Sequence, residues 1–559
     1  MWKAVVLVCL LLNIAVELNG ATDEASRSAA ENTGPETKVK RAEEKADVTG
    51  SLPASESGST VFSGHLLVVP MDGSHWVGIK AIAQEMGRRG HQVTVLIPEI
   101  SMRMGPGKHY NTLTYPVPYG KAEIDSVVAM HKEVIPKPGQ SFMEKISIRL
   151  SKVQNFTNFI HITAESLLFN ASLISHLSQQ GFDAVLTDPL VPTGSLIARK
   201  LGLPTINLLR GLPCSLDMKS AACPSPPSYV PRLFTGFTDK MNFKERVINT
   251  LMSLVEPLQC RLLFWHFDQI ASQFLGEDVG IAEVLSDSAI WLLRSDFTLE
   301  FPRPLMPNVV MVGGINCNLR NALPEDLESW ASGQHGFVVF TLGSVVSALP
   351  EEITIVFLEA FRQIPQKVIW RYAGPVPDNI PENVKMMEWV PQNDLLAHQG
   401  VRAFITHAGS HGLFEGLCHA VPMVMLPISA DQHDNAQRIA SRGAGVVLAF
   451  STITAETLLQ GLNEVISNTR YKESVQKLSA LHKDRPFDPL DLSVYWTEFV
   501  MRHKGARHLR PAAQDLNWLQ YHSLDVIALL ATVVLVVVIV TVKCMKLCLW
   551  KLSKKRKQD

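Results

Sequence analysis

Short apolar runs that alternate with helical segments most strongly constrain the fold of this chain. Between positions 65 and 98 the sequence reads as strand, amphipathic helix and strand, the βαβ unit of a parallel sheet. A second series of this kind begins at GFVVFTLGS and continues through VRAFITHAGSHG to AGVVL. Two successive series predict an α/β protein with two parallel-sheet domains. The segment FPRPLMPN, at 301–308, contains three prolines and is predicted to join them.

An apolar segment near the start of the chain lies outside both series. It runs from Ala4 to Val16 behind Lys3, an arrangement typical of a cleavable secretory signal, which we place at 1–20. A membrane anchor is the competing interpretation, but the run is short for one. The following segment, 21–60, is polar, lacks aromatic residues and is predicted to be disordered because it cannot bury a core.

A second apolar run, Val526–Val542, predicts a transmembrane helix at 524–543. The tail at 544–559 is basic, and positive residues favour the cytosolic side. The chain is therefore predicted to be a single-pass type I protein whose domains are lumenal and whose span contacts the lipid bilayer. A buried core helix would leave the basic flank unexplained. Lys555 and Lys557 resemble a dilysine retrieval signal, which favours the endoplasmic reticulum membrane over a merely solvated tail.

Sequons and cysteines agree with a lumenal location. Asn155 (NFT) and Asn170 (NAS) are predicted glycosylation sites. A disulfide between Cys214 and Cys223 would suit this compartment, and the odd number of lumenal cysteines leaves at least one thiol unpaired. There is no CxxC pair to indicate a zinc ribbon or a thioredoxin-type site. The net charge of -1 provides no general basic field for nucleic acid.

The THAGSHG corner of the second series is a candidate anion site. Ligands of open α/β sheets bind beyond the carboxyl ends of the strands. Here a strand leads through Gly409 into a helix, whose free N–H groups and dipole favour a phosphate. His407 is predicted to donate to phosphate oxygens, and Ser410 either does the same or caps the helix. The sequence has neither a GK[ST] loop nor a GxGxxG fingerprint, which disfavours P-loop and dinucleotide chemistry.

Neighbouring strand ends supply groups suited to the rest of a nucleotide sugar. Glu415 would repel phosphate but could accept hydrogen bonds from ribose hydroxyls, the alternative being a solvated helix glutamate. Trp389 could stack on a base beside Gln392, the alternative being a core tryptophan. Asp431 and Gln432 suit sugar hydroxyls, although Asp431 could be only a helix N-cap. Phosphate, ribose, base and sugar sites together predict a nucleotide-sugar donor.

The first series contains a candidate acid–base pair. His75 lies one turn past the strand HLLVVPM, and Asp188 ends another strand of the same predicted sheet. A lone histidine in such a place is usually structural. An Asp–His pair, however, holds the imidazole in one tautomer and stabilises its protonated form. The pair is predicted to act as a general base that deprotonates an acceptor hydroxyl.

These motifs together resemble the UDP-glycosyltransferase superfamily, and look closest to vertebrate UDP-glucuronosyltransferases of family 1. The block from WVPQNDLLAHQG to VPMVMLPISADQ is similar to the family signature, and DGSHW, LTDP, FTLGS and MRHKGARHLRPAAQDLNWLQYHSLDVI also match. The similarity runs from about Ser63 to the basic tail. The polar segment 21–60 departs from the family pattern, as does Ala420, which stands where a glycine is usual.

The resemblance implies a GT-B fold with two Rossmann-like domains facing a cleft. The first, 61–300, would bind a small lipophilic acceptor, and the second, 301–480, would bind UDP-glucuronate. The segment 481–523 would contain return helices and lead to the membrane. The implied reaction is an inverting displacement that yields β-glucuronides, in the clearance of xenobiotic and endogenous compounds. UDP-glucuronate is a co-substrate, and neither a metal nor another cofactor is expected.

The resemblance also assigns roles to individual residues. His75 is the base and Asp188 its partner, and Trp389 stacks on uracil. The donor-binding set is predicted to be Ser344, Trp389, Gln392, His407, Gly409, Ser410, His411, Gly412, Glu415, Asp431 and Gln432. Two alternatives stay open, namely another UDP-sugar as donor and a catalytically silent subunit. Homo- or hetero-oligomers with related transferases are a further expectation.

Overall fold

The computed structural model describes most of the chain as helices and strands. The described residues are 62–132, 142–318, 321–343, 346 and 348–555. The predicted signal and polar segment, Ser344 and the last four residues of the tail lie outside them. The strands are β1 (His65–Val69), β2 (Gln92–Pro98), β3 (Asn111–Tyr115), β4 (Ala184–Thr187), β5 (Thr205–Leu209), β6 (Ile290–Leu293), β7 (Val309–Met311), β8 (Phe337–Thr341), β9 (Lys367–Arg371), β10 (Val384–Met387), β11 (Val401–Thr406), β12 (Met423–Met425) and β13 (Gly445–Val447).

Helices follow almost every strand. They are α1 (His75–Arg88), α2 (Lys121–Lys132), α3 (Phe142–Leu168), α4 (Ala171–Ser178), α5 (Thr193–Leu201), α6 (Leu216–Ser220), α7 (Phe243–Leu275), α8 (Ile281–Ser286), α9 (Glu325–Ala331), α10 (Glu351–Phe361), α11 (Gln392–Ala397), α12 (Ser410–Cys418), α13 (Gln432–Ala440), α14 (Ala455–Ser467), α15 (Thr469–Lys483), α16 (Pro489–His503), α17 (Trp518–Tyr521) and α18 (Leu524–Lys555).

The first sheet has the strand order β3-β2-β1-β4-β5-β6-β7, and each described pairing is parallel. Its central strands are continuously apolar, as expected for a parallel sheet that is covered on both faces. Leu67 packs into the core on one face, and Leu66 and Val68 pack into the core on the other. Because all strands run the same way, their carboxyl ends form one edge.

The first sheet extends further along the chain than predicted. β7 pairs with β6 and therefore belongs to the first sheet, although it follows the proline-rich join at 301–308. The predicted boundary at 300 is wrong for this reason. A three-residue strand gives little periodic signal, so its pairing partner decides where it belongs.

The second sheet has the order β10-β9-β8-β11-β12-β13, again with parallel pairings. Its core is rich in aromatic side chains, and Phe340 stacks on both Phe357 and Trp370 with ring centroids 4.8 and 4.7 Å away. After this sheet the chain returns to the first, because α16 packs against α1, β4 and β6. The inward side of α16 buries Val494, Val500 and Met501 in a core of the first sheet.

Two disulfides cross-link the described chain, and neither is the one considered from sequence. Cys214 pairs with Cys260 of α7, and their Cα atoms lie 5.6 Å apart. Cys223 is buried and unpaired, so a Cys214–Cys223 bond is wrong. Cys317 pairs with Cys418 at the end of α12. Cys214 lies against a helix that follows it by 46 positions, a proximity that only the packing of α7 creates.

Residues 510–559 form a separate compact unit. Within it, α18 is long and apolar enough to cross a membrane over Leu524–Leu552. The helix continues beyond the predicted span at 524–543 into the basic tail. Lysine has a high helix propensity, so a basic flank does not by itself end a helix.

Candidate active site

His75 and Asp188 meet because their strands are neighbours. β1 and β4 are paired with Val69 opposite Thr187, so the residues that follow them share one edge of the sheet. His75 begins α1, and its Nδ1 lies 2.6 Å from Oδ2 of Asp188. The aspartate side chain is 1% exposed, whereas the histidine is 27% exposed. The partner is therefore buried while the imidazole remains accessible from the cleft.

The electrostatic surroundings keep Asp188 ionised. Burial opposes ionisation, but the nearby His75 and Arg294 outweigh it and hold the pKa of the Asp188 carboxyl below its usual value. The backbone N–H of Leu190 also donates to this carboxylate over 3.0 Å. An ionised, fixed carboxylate on Nδ1 leaves Nε2 of His75 as the nitrogen able to accept a proton.

Arg294 is a buried cation that the sequence analysis did not identify. It directly follows β6, is 7% exposed, and donates from Nη1 to Nε2 of His411. Its Nε has no hydrogen-bond partner within the described part of the chain. Burial lowers the pKa of Arg294, with Asp188 and Asp431 opposing that effect. Arg294 thus stands between the His75–Asp188 pair and the second domain.

His411 faces the first sheet. Besides accepting from Arg294, it hydrogen-bonds the backbone at Ser74. Burial, together with the nearby side chains of Arg294 and His75, holds the pKa of His411 well below its usual value. The imidazole is therefore neutral at physiological pH. The α12 corner and the His75 corner are consequently in direct contact across the domain boundary.

The predicted diphosphate corner is packed around His407. A side chain could not replace Gly343 or Gly409, since a Cβ at either would lie 2.5 Å from an atom of the His407 ring. Gly343 also has a positive φ of 81°. Gly409 occupies the N-cap position of α12 without a side-chain cap, so the alternative that Ser410 caps this helix is wrong. Among the described residues no side chain caps the first N–H groups of α12, an arrangement that suits an anion.

His407 is neutral and lies near a second cation. Burial lowers its pKa to about 4, an effect that Asp431 opposes and Arg371 reinforces. Its Nδ1 has no hydrogen-bond partner within the described residues. Arg371, the last residue of β9, donates to the carbonyl oxygen of Gly343. Burial also lowers the pKa of Arg371, to about 10, so it remains charged. The corner therefore combines helix N–H groups with one fixed cation.

Glu415 and Gln392 are partners. Nε2 of Gln392, at the start of α11, donates to Oε2 of Glu415 on α12. Burial raises the pKa of Glu415 to about 7, despite the hydrogen bond from Gln392. The alternative of a solvated helix glutamate is therefore wrong.

Trp389 is an exposed ring rather than a core residue. It is 57% exposed, which rules out the core alternative. The guanidinium groups of Arg103 and Arg371 lie over its ring at 4.8 and 5.3 Å from the centroid. Arg103 comes from the first domain and Trp389 from the second. An accessible aromatic face beside two cations suits a flat ring that carries phosphates.

Asp431 and Gln432 are held in different ways. Asp431 occupies the N-cap position of α13 but makes no side-chain capping bond. Its Oδ2 instead accepts from Nδ2 of Asn435 over 2.8 Å. Oε1 of Gln432 accepts from the backbone N–H groups of Ile428 and Ser429, over 2.8 and 2.9 Å. Within the described residues, these hydrogen bonds engage the amide oxygen of Gln432 and Oδ2 of Asp431 rather than the amide nitrogen or Oδ1.

Most predicted site residues therefore converge on facing strand ends. Gly412 lies buried within α12, close to Gln392. Ser344 is outside the described residues. Asn155 is exposed on α3, and Asn170 caps α4 by accepting from the N–H of Leu173 over 3.1 Å. Four further residues at these corners are not among the site residues predicted from the sequence: Arg210, Arg294, Arg371 and Asn435. The three arginines each end or follow a strand, so the rule used for the others could have found them.

Two parallel-sheet domains, with a histidine–carboxylate pair at the edge of one and the His407 corner at the edge of the other, are typical of a glycosyltransferase of the GT-B class. The family model for UDP-glucoronosyl and UDP-glucosyl transferases matches residues 64–559. The chain belongs to this family, as the sequence motifs indicated.

Curated relatives are similar over most of their length. UDP-glucuronosyltransferase 1A1 of Rattus norvegicus is 46% identical over 488 residues, which cover 87% of this chain and 91% of the relative. UDP-glucuronosyltransferase 1A1 of Homo sapiens is 45% identical over 485 residues, covering 86% and 91%. UDP-glucuronosyltransferase 1A6 of Homo sapiens is 46% identical over 492 residues, covering 87% and 91%.

Solved structures confirm the predicted GT-B fold at low sequence identity. A UDP-glucosyltransferase from Polygonum tinctorium has a TM-score of 0.54 and 17% identity, covering 79% of this chain and 100% of that one. The spinosyn forosaminyltransferase SpnP has a TM-score of 0.53 and 19% identity, covering 78% and 99%. Os79 from O. sativa in complex with UDP has a TM-score of 0.51 and 17% identity, covering 79% and 100%.

Proposed function

We propose that this enzyme transfers glucuronic acid from UDP-glucuronate to a hydroxyl of small lipophilic acceptors, giving β-glucuronides in the clearance of xenobiotic and endogenous compounds. The observation that carries the proposal is the contact between the two corners. His75 is paired with Asp188 over 2.6 Å, and Arg294, which interacts electrostatically with Asp188, donates to His411 on α12. The base and the donor's leaving group would then lie within one cleft.

In this mechanism, Nε2 of His75 takes the proton of the acceptor hydroxyl as its oxygen attacks the anomeric carbon. Asp188 stabilises the imidazolium that forms. The bond from the anomeric carbon to the UDP oxygen breaks as the new bond forms on the opposite face, so the α-linked donor gives a β-linked product. The electron pair and negative charge pass to the diphosphate.

The second domain would hold the leaving group. Trp389 stacks on uracil, and the Gln392–Glu415 pair binds the ribose region. Gly409, Ser410, His411 and Gly412 form the start of α12, whose N–H groups suit the diphosphate. Ser344, His407 and Arg371 complete this corner. Positive potential here stabilises the charge that develops on UDP during transfer.

Arg294 supplies a reason to favour glucuronate over glucose. The two sugars differ by a carboxylate, and a buried guanidinium with a free N–H can pair with that group. Arg294 lies within electrostatic reach of Asp431, whose proposed role, with Gln432, is to bind sugar hydroxyls. A glucose donor would leave the Nε–H of this buried guanidinium without a hydrogen-bond acceptor, which costs binding energy.

The proposal includes the cellular setting. The protein would be a single-pass type I protein of the endoplasmic reticulum membrane, anchored by α18 and glycosylated at Asn155 and Asn170. The catalytic domains would be lumenal and the short tail cytosolic. Association with itself or with related transferases belongs to the same proposal. Sequential removal of the two sequons would show two mobility shifts on a gel if both asparagines carry glycans.

A donor panel tests the function. The full-length protein in microsomal membranes is incubated with a simple phenol and with UDP-glucuronate, UDP-glucose or UDP-xylose in turn. We expect product with UDP-glucuronate and at least about tenfold less with the others, corresponding to roughly 1.4 kcal/mol. Higher activity with UDP-glucose or UDP-xylose would show that the donor is a neutral sugar nucleotide and not UDP-glucuronate. No transfer from any donor would support a silent subunit and overturn the proposal.

A further inference from the structure

A row of polar contacts connects the end of β5 in the first sheet to α13 of the second domain. Arg210 directly follows β5, and its side chain is 17% exposed. Its Nη1 donates to Oγ of Ser295 over 3.1 Å, and its Nη2 contacts Glu300 and donates to Oδ1 of Asn435 over 3.0 Å. Asn435 lies on α13 of the second domain, so this last bond crosses the domain boundary.

Asn435 is fully engaged and 1% exposed. While its oxygen accepts from Arg210, its Nδ2 donates to the carbonyl oxygen of Ala408 over 3.1 Å and to Oδ2 of Asp431 over 2.8 Å. One acceptor and two donor contacts fix the orientation of the amide, because a flipped amide would oppose all three. The side chain of Asn435 therefore connects three backbone or side-chain groups in one arrangement.

The two groups that Asn435 holds both belong to the donor corner. Ala408 has a φ of 64°, a conformation unusual for a residue with a side chain, and it joins His407 to Gly409. Asp431 has no capping bond of its own to fix it. Without the amide of Asn435, Ala408 would lose a buried hydrogen bond and Asp431 a partly buried one, and the Asp431 carboxylate would be free to rotate.

Arg210 is held from both sides. Burial would lower the pKa of its guanidinium, but Glu300, Asp431 and Asp434 outweigh that effect and raise it. Arg438 contacts the same Glu300 carboxylate over 3.1 Å, so this carboxylate keeps one cation if Arg210 is changed. The chain can thus tolerate a conservative change at Arg210 better than at a singly paired buried arginine.

We propose that Arg210 is a positioning residue for the donor sugar, acting through Asn435 on Asp431 across the domain boundary. The proposal rests on the proposed function in one respect, namely that Asp431 contacts the sugar. It implies that the sugar site is assembled only when the two domains are together. A change at Arg210 would therefore lower the affinity for UDP-glucuronate much more than the affinity for UDP, which lacks the sugar.

The test is a double-mutant cycle in the full-length protein with Arg210→Lys, which keeps the charge beside Glu300, and Asn435→Ala. We expect each single change to lower kcat/KM for UDP-glucuronate about tenfold, as for loss of a hydrogen bond to a charged group. The double variant should be no worse than the poorer single one, because both changes break one connection. Affinity for UDP, measured by calorimetry, should change less than threefold.

Arg442→Met is the matched control. Arg442 also crosses the boundary, donating from Nη2 to the carbonyl oxygen of Glu300 over 2.8 Å, without a bond to Asn435 or Asp431. Arg442→Met should change kcat/KM for the donor by less than threefold. Additive effects in the cycle, equal losses for UDP and UDP-glucuronate, or a tenfold loss in Arg442→Met would each overturn the proposal.

If Asn435→Ala does not fold, the effect of Arg210→Lys can be measured in a second variant protein, Asp431→Asn. In Asp431→Asn, the effect of Arg210→Lys on the donor should shrink to less than threefold, since the carboxylate to be positioned is gone. An undiminished tenfold effect would contradict positioning through Asp431. The affinity difference between UDP and UDP-glucuronate requires no turnover. If wild type transfers no sugar, the proposed function fails while this binding cycle still decides the role of Arg210.

Discussion

His75 and Asp188 are separated by 113 positions in sequence, yet Nδ1 of the histidine lies 2.6 Å from the carboxylate. The buried aspartate stays ionised, and the histidine faces the cleft. This geometry predicts that His75→Ala lowers kcat by about 10²–10⁴-fold, the usual contribution of a general base. Asp188→Asn should also lower kcat, because the ionised partner is lost. UDP affinity is the control and should be unchanged. Near-normal glucuronide formation by His75→Ala would show that another group accepts the proton.

Glu415 predicts a dependence of stability on pH. Burial raises its pKa from the ordinary value of 4.5 to about 7 in the folded protein. Between these two pH values the folded state binds a proton that the unfolded state has released, so stability falls as pH rises through this range. Glutamine does not ionise, so Glu415→Gln removes this contribution to the pH dependence of stability. The Tm of the variant relative to wild type should therefore increase between pH 5 and 7 and level off above. A constant difference would contradict the raised pKa.

Glu415 also makes a prediction about the nucleotide. If its carboxyl group binds ribose hydroxyls, Glu415→Ala should weaken UDP affinity by roughly tenfold, as expected for the loss of one or two buried hydrogen bonds. Calorimetry with UDP measures this directly. Gln392→Ala is a useful companion because Gln392 donates to the same carboxylate. Unchanged UDP affinity in Glu415→Ala would remove the residue from the ribose site.

Trp389 is predicted to matter for binding but not for folding. Its ring is exposed, so Trp389→Ala should leave the Tm within a few degrees of wild type. Loss of base stacking should weaken UDP affinity by about 1–3 kcal/mol. Trp389→Phe retains an aromatic face and should recover most of this affinity. Equal binding by the Ala and Phe variants would mean that Trp389 does not stack on the base.

Arg294 predicts a change of donor preference. Arg294→Gln removes the proposed partner of the glucuronate carboxylate but keeps a hydrogen-bond donor beside His411. We expect the ratio of kcat/KM for UDP-glucuronate to that for UDP-glucose to fall by about 10–100-fold, as for loss of a charge-assisted bond. In Arg294→Lys, which keeps the charge, the same ratio should fall less. A ratio unaffected by Arg294→Gln would place the carboxylate elsewhere.

The sequence predicted which residues lie together at this corner of the second sheet because strand ends can be recognised from pattern. VPMVML is continuously apolar, and VRAFIT is apolar apart from Arg402 and Thr406. The polar residues that follow these runs stand at the carboxyl edge of the sheet, where ligands of open α/β sheets usually bind. His407 and Asp431 could therefore be chosen without knowing the strand order. β7 was misassigned because three residues carry too little periodicity to indicate a sheet.

The arginines illustrate that the sequence pattern does not indicate which polar side chains at strand ends are buried. Arg294 and Arg210 follow strands as Asp188 does, but an arginine at a strand end is usually solvated. Only packing reveals that Arg294 is 7% exposed and bonded to His411. The same holds for Asn435, whose three hydrogen bonds join groups from both domains.

By itself the sequence determined the local structure, the two α/β series, the apolar helix α18 and the residue types at each corner, because these depend on neighbours along the chain. The tertiary structure decided which corners meet, which side chains are buried and which pKa values shift. Those properties depend on contacts between residues far apart in sequence, such as Arg210 with Asn435. Burial in a low-dielectric site then raises the pKa of Glu415 and lowers that of His407.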